Sequence, residues 1–258
     1  MYSESVMELR ICHLYPDLLN LYGDRGNLMA LVHRAQWRGI DVRVDEARLG
    51  ASPAPGAHDL YFMGGGEDRQ QQLAAADLRE RKREALADAA GRGAVVLAVC
   101  GGYQLLGHYY RSAEGEEMIG LGLLDVTTEH PGPQTRRLIG NIVVRSAWLG
   151  GRTLVGFENH GGRTRLGPNA RPLGTVLAGF GNNGDDRTEG AVNRHVYGTY
   201  LHGPLLPKNP ALTDHLLAAA LRARYGPVAL ASLDDSLELA AHSAALARTT
   251  SRSVSIER

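Results

Sequence analysis

The residues best suited to chemistry begin with Cys100. It ends the wholly apolar run Ala94 to Val99 and is followed at once by Gly101 and Gly102. A thiol at a sharp turn from a buried strand into a helix is presented as a nucleophile, and the first amides of the helix favour its thiolate. Glycine at both following positions suits a tight turn and close approach of a ligand to the backbone. The same position also reads as a small buried hydrophobe, as free cysteines often are. Cys12, inside the strand-like Glu8–Leu14, reads only that way. A thiol nucleophile needs a base, and two of the ten histidines stand out. His202 follows the strand-like Val196 to Leu201 and precedes Gly203-Pro204. It therefore projects from a strand's carboxyl end, where ligand crevices of open α/β sheets lie. His160, in Glu158-Asn159-His160-Gly161-Gly162-Arg163-Thr164, is its rival, and spacing alone does not separate them. Met63-Gly64-Gly65-Gly66-Glu67-Asp68 leaves another strand with backbone free to turn an N–H toward a developing oxyanion. Arg136 or Arg137, just before a strand, offers a guanidinium for bidentate capture of an amino-acid carboxylate.

The elements that must position these groups alternate in type. Glu8 to Leu14 reads as a first strand, and Leu28 to Arg38 as a helix capped by Asn27 and stopped by Gly39. Ile40 to Val44 and His58 to Met63 are the next strands, Gln70 to Gly91 is helical, and Ala94 to Val99 is a buried strand of the parallel kind. This order predicts an α/β fold with a doubly wound, mostly parallel sheet flanked by helices. After Gly120 shorter strand-like pieces follow, at Gly122 to Thr127, Leu138 to Arg145 and Thr175 to Ala178, before Val196 to Leu201 and a helix from Ala211 to Tyr225. Residues 8–226 read as one domain, and 227–258 as a C-terminal helix with a polar tail.

Composition narrows the function. The chain has 258 residues, 43% of them hydrophobic, and 28 basic residues balance 28 acidic ones. That balance removes the electrostatic case for nucleic acid or a membrane surface as partner. Two cysteines in dissimilar settings suggest no disulfide framework, and no metal site is expected. Met1 to Leu9 lacks the apolar core of a secretory signal, and no stretch approaches the roughly 20 apolar residues that span a bilayer. A reducing cytoplasm is the expected compartment. Neither lysine, Lys82 or Lys208, follows a glycine-rich phosphate loop. Any ATP used in the overall reaction is therefore expected to bind another chain.

Together these residues resemble the class I, triad-type glutamine amidotransferases, in their cobyric-acid-synthase-like branch. Within it the chain looks like the glutaminase subunits of lipid II isoglutaminyl synthase. The resemblance rests on Leu19-Asn20-Leu21-Tyr22-Gly23-Asp24-Arg25-Gly26-Asn27, Gly64-Gly65-Gly66-Glu67-Asp68-Arg69, Cys100-Gly101-Gly102-Tyr103-Gln104, Gly156 to Thr164, Gly181-Asn182-Asn183, and Gly198 to Asn209. It implies that Cys100 attacks the glutamine amide to form a thioester and that His202 carries the protons. It also implies an oxyanion hole from the Gly66 and Gly101 amides, with Gln104 and Arg137 holding the amino-acid end. The implied partner is a MurT-like subunit of the Mur ligase family that uses ATP and magnesium, with lipid II as acceptor; cobyrinate is the alternative acceptor. Other readings are a cysteine hydrolase of similar fold and a non-catalytic scaffold. The wider family carries Gly two residues before its nucleophile and Glu two residues after its histidine; this chain has Ala98 and Pro204. An Asp or Glu of the partner is therefore expected to orient His202, leaving the isolated chain weakly active.

Overall fold

The computed structural model describes residues 7–253; the first six residues and the polar end past Ser253 lie outside them. The first half runs β1 (Glu8–Leu14), α1 (Arg25–Gln36), β2 (Asp41–Ala47), β3 (Leu60–Met63), α2 (Asp68–Asp77), α3 (Arg83–Gly91), β4 (Val95–Val99) and α4 (Gly101–Leu106). Strands β5 (Tyr109–Arg111), β6 (Glu117–Ile119), β7 (Val126–Glu129), β8 (Leu138–Ser146), β9 (Arg152–His160), β10 (Arg163–Leu166) and β11 (Gly174–Ala178) follow. The chain closes through β12 (Thr188–Glu189), β13 (Ala191–Asn193), β14 (Val196–Thr199), α5 (Pro210–Tyr225) and α6 (Ser236–Ser253).

The main sheet has the order β13-β14-β4-β3-β1-β2, parallel except for β13. Every residue of β4 is buried, as an all-apolar strand between two neighbours and two layers of helix requires. Helix α1 packs on α5 and α2 on α4, while α3, α4 and α5 all touch β4. Met63 pairs with Ala98 and Thr199 with Val99, so β3, β4 and β14 end level with one another. Three adjacent strands thus deliver Gly64, Cys100 and Tyr200 to one edge, with neighbours about 4.8 Å apart.

The second half differs from a purely parallel plan. It forms two four-stranded sheets, β10-β7-β5-β6 and β12-β11-β8-β9, which are mostly antiparallel. The β8–β9 hairpin pairs Leu138 with His160, which sets Arg137 beside Asn159. Strand β9 was not foreseen from sequence, since its polar Glu158-Asn159-His160 end hides the strand pattern.

Two helices begin or continue differently from the sequence expectation. Helix α1 starts at Arg25, whose N–H donates to Asn20 Oδ1 (2.9 Å). Asn27, expected as the cap, lies inside α1, and its Oδ1 accepts from the Leu206 N–H (2.8 Å). The helix expected from Gln70 to Gly91 passes through a π-turn at Leu78–Lys82 between α2 and α3. There the i→i+5 register brings the buried Lys82 ammonium onto Asp77.

Candidate active site

Cys100 occupies a left-handed backbone conformation, φ 50° and ψ −110°, between β4 and α4. Such a conformation is strained for a residue with a side chain, and the neighbouring bonds enforce it. Its N–H donates to Thr199 O (2.8 Å) and its carbonyl accepts from the Gln104 N–H (3.0 Å). Gly102 is required by packing, because a Cβ there would stand 2.7 Å from Gly64 O. Cys12 is held in the interior of β1, where burial pushes its thiol up to about 12.

His202, just beyond β14, exchanges backbone hydrogen bonds with Phe157 of β9 (2.7 and 3.1 Å). That bridge joins the main sheet to the hairpin at the site. His202 Nδ1 lies 3.5 Å from Asp24 Oδ1, and both side chains are fully buried. The other oxygen of Asp24, Oδ2, accepts from the Gly65 N–H (2.7 Å). Gly65 marks where the three groups meet. A Cβ on it would stand 3.1 Å from Cys100 Cβ, 3.1 Å from His202 Cε1 and 3.4 Å from Asp24 Oδ2. Burial pushes the His202 imidazole down, but the Cys100 sulfur and the Asp24 carboxylate outweigh it and raise the group to about 10. A carboxylate of this chain thus stands 3.5 Å from the imidazole for which a partner's acid was expected. Asp24 escaped sequence reading because it sits in a glycine-flanked segment read as a loop; the signal was a lone acid at the head of α1.

His160 goes elsewhere. Its ring stacks on Tyr200 (centroids 3.6 Å apart, planes 7° apart), and Nδ1 lies 2.9 Å from Gly162 O. Burial holds it below the usual histidine range. The structure thus brings His202, and not His160, to the cysteine.

Two successive peptides at the end of β3 are clamped. Gly64 O accepts from the Gly102 N–H (3.2 Å) and Gly65 O from the Leu21 N–H (3.2 Å). In a trans peptide the N–H points opposite the C=O, so the Gly66 N–H is turned away from Leu21. Gly101 is the first residue of α4, where the amide has no partner within the helix. The cleft above has a volume of about 450 Å³ and is lined by Gly66, Cys100, Gln104, Arg137 and Asn159 among others. Gln104 is buried and donates from Nε2 to Tyr200 Oη (3.1 Å). Arg137 donates to Asn159 Oδ1 (2.9 Å) and Asn159 O (3.0 Å). Arg136 instead offers its carbonyl to Arg163 and does not line the cleft. Tyr22, not singled out from sequence, sets its ring edge against His202 (centroids 5.1 Å apart), and its Oη accepts from Asn159 Nδ2 (2.5 Å).

The fold and this elbow are those of a triad-type glutamine amidotransferase. A model of the CobB/CobQ-like glutamine amidotransferase domain matches residues 10–210. The chain belongs to that family. It is 44% identical over 237 residues to the lipid II isoglutaminyl synthase (glutamine-hydrolyzing) subunit GatD of Staphylococcus aureus, covering 91% of this chain and 93% of that one. It is 40% identical to the GatD subunit of Streptococcus pneumoniae, covering 85% and 83%. Cobyric acid synthase of Sphingopyxis alaskensis is 39% identical, but over 58% of this chain and 30% of its own length. A chain from the structure of PurLQS from Thermotoga maritima shares the fold, with a TM-score of 0.54, 18% identity and coverage of 83% and 96%.

Proposed function

We propose that this chain is the glutaminase subunit of a lipid II isoglutaminyl synthase. It would hydrolyse L-glutamine and hand ammonia to an ATP-dependent, Mur-ligase-like partner of the MurT kind. The observation that carries the reading is the convergence of Cys100, His202 and Asp24 around Gly65, beside a cleft that holds Arg137. The two GatD relatives, similar over most of their length, support this acceptor over cobyrinate. In this reading the Cys100 thiolate attacks the side-chain amide carbon of glutamine. The amides of Gly66 and Gly101 receive the negative charge on oxygen, which is where such donors act most strongly. His202, oriented by Asp24, gives its proton to the departing ammonia, leaving a glutamyl thioester. Water, deprotonated by His202, then releases glutamate and restores the thiol. Arg137 holds the α-carboxylate and Gln104 the α-ammonium end. ATP and magnesium belong to the partner, which activates the α-carboxyl of D-glutamate. The reading places both subunits in the cytoplasm, and no helix among the described residues is long and apolar enough to cross a membrane.

The test joins the purified chain with an ATP-dependent Mur-ligase-like subunit, lipid II, ATP, magnesium and glutamine, and follows D-isoglutamine by mass spectrometry. Amidation is expected with glutamine, and in Cys100→Ala only with added ammonium salt. Retention of glutamine-dependent amidation by Cys100→Ala would sink the mechanism. Ammonia release with no amidated lipid II would overturn the acceptor.

A further inference from the structure

One buried polar atom of the cleft has no place in the reaction as described. Gln71, in the first turn of α2, is 3% exposed and lines the cleft with Gly66 and Cys100. Its Nε2 donates to Gly66 O (2.8 Å). That bond identifies the nitrogen end of the amide and leaves Oε1 as a pure acceptor. Oε1 is buried and has no hydrogen-bond partner among the described residues. Buried acceptors are seldom left bare, so an orphan in a cleft points to a donor on the ligand. The position narrows the donor. A Cβ on Gly101 would stand 2.7 Å from Gln71 Nε2 and 2.8 Å from its Cδ, so the side chain lies between the two glycines of the oxyanion hole. His160 Nε2 is turned toward Glu158 Oε2 (3.9 Å), whereas a further unpaired acceptor, Gln104 Oε1, belongs to the other end of the cleft. There a Cβ on Gly161 would meet Arg137 Nη1 at 3.5 Å, and one on Gly162 would meet Gln104 Nε2 at 2.8 Å. Gln104 Oε1 suits an α-ammonium group, and Gln71 faces the reacting end.

We propose that Gln71 is a specificity-determining residue whose Oε1 accepts an N–H of the substrate's side-chain carboxamide. Its Nε2, through Gly66 O, fixes the peptide that follows the Gly66 amide donor. The inference rests on the glutaminase reading and adds to it the means by which an amide is told from an ester or an acid. Glutamine offers an N–H at this point; a γ-ester offers none, and the glutamate product would set a carboxylate oxygen against Oε1.

The test compares L-glutamine with L-glutamate γ-methyl ester as substrates of the full-length chain, unmodified and as Gln71→Met and Gln71→Glu. Loss of the Gly66 clamp lowers both substrates alike, so the amide-to-ester ratio of kcat/KM isolates the Oε1 contact. Methionine keeps the length and removes the acceptor, and the ratio is expected to fall by about tenfold, the worth of one buried hydrogen bond. Glutamate keeps an acceptor oxygen, so Gln71→Glu should lose rate on both substrates and keep the ratio. Alkylation of Cys100 by iodoacetamide reports whether each variant still presents the elbow. An unchanged ratio in Gln71→Met with normal alkylation, or a ratio lost equally in Gln71→Glu, would overturn the proposal. Failure of the unmodified chain to hydrolyse either substrate would instead bring down the glutaminase reading, and this contact with it.

Discussion

At the scale of single residues the site is a charge arrangement. A thiol and an imidazole share the buried space around Gly65, with a carboxylate 3.5 Å behind the imidazole. Asp24→Asn keeps the shape and removes the charge that orients and stabilises an imidazolium. By analogy with other triads kcat should fall by about 10² to 10⁴ with KM for glutamine little changed. Steady-state kinetics of ammonia release check this, and an unaltered kcat would remove Asp24 from the mechanism. The raised His202 group also sets a pH dependence. Its folded value, about 10, exceeds that of a free histidine, about 6.5. Its contribution to stability is thus complete below about pH 6.5 and is lost as pH climbs through about 10. The alkaline limb of kcat/KM should follow the same titration, because the proton lost is the one the leaving ammonia needs. In Asp24→Asn that limb should move to lower pH by about 1 pH unit or more, since an adjacent opposite charge has been removed.

At the scale of elements, close approach is what makes the site. The ends of β3, β4 and β14 are level, and glycine lets them come together. Gly65→Ala would push a methyl to 3.1 Å from both Cys100 Cβ and His202 Cε1. Small misplacements of reacting groups cost about 10² in rate, so activity should collapse by roughly that factor while the unfolding midpoint moves little. Gly198→Ala tests the opposite case. Its Cβ would stand 2.0 Å from Cδ2 of Tyr103, a ring that is fully buried and cannot move aside. Overpacking of this kind costs about 1–3 kcal/mol, so denaturant unfolding should shift first and activity should follow. A stable Gly198→Ala protein would mean that β14 and α4 can separate.

At the scale of the whole molecule, the C-terminal segment is tied into the fold through α1 and α5. Arg34 of α1 is buried and bonds Asp214 of α5 twice (both 2.8 Å) and Asp235, just before α6 (2.5 Å). Arg34→Ala leaves Asp235 without this cation while Asp214 keeps Arg38 (2.7 Å), and with both carboxylates partly exposed the loss is expected at about 1–3 kcal/mol. Urea unfolding should show that loss; a change under about 1 kcal/mol would reduce the network to a surface ion pair. Helix α6 also reaches the site loop. His242 Nδ1 lies 2.9 Å from Lys208 O, and the Lys208 ammonium donates to Gly203 O (2.7 Å), next to His202.

Much of this was readable in the chain alone, for local reasons. The apolar run into Cys100-Gly101-Gly102, the glycines after β3 and the segment around His202 are short-range patterns. Strand and turn follow from the residues themselves, and so does the parallel half of the fold. What tertiary structure alone decided are contacts between distant parts of the polymer. It set His202 and not His160 with Cys100, because one imidazole shares the space around Gly65 with the cysteine and the other is stacked on Tyr200. It chose Arg137 over Arg136, because the β8–β9 register turns only one of them to the cleft. It set Asp24 3.5 Å from His202, where the sequence after the histidine has only Pro204. A side chain's electrostatic partners depend on distance through space, and local sequence patterning carries no record of that distance until the sheet is assembled.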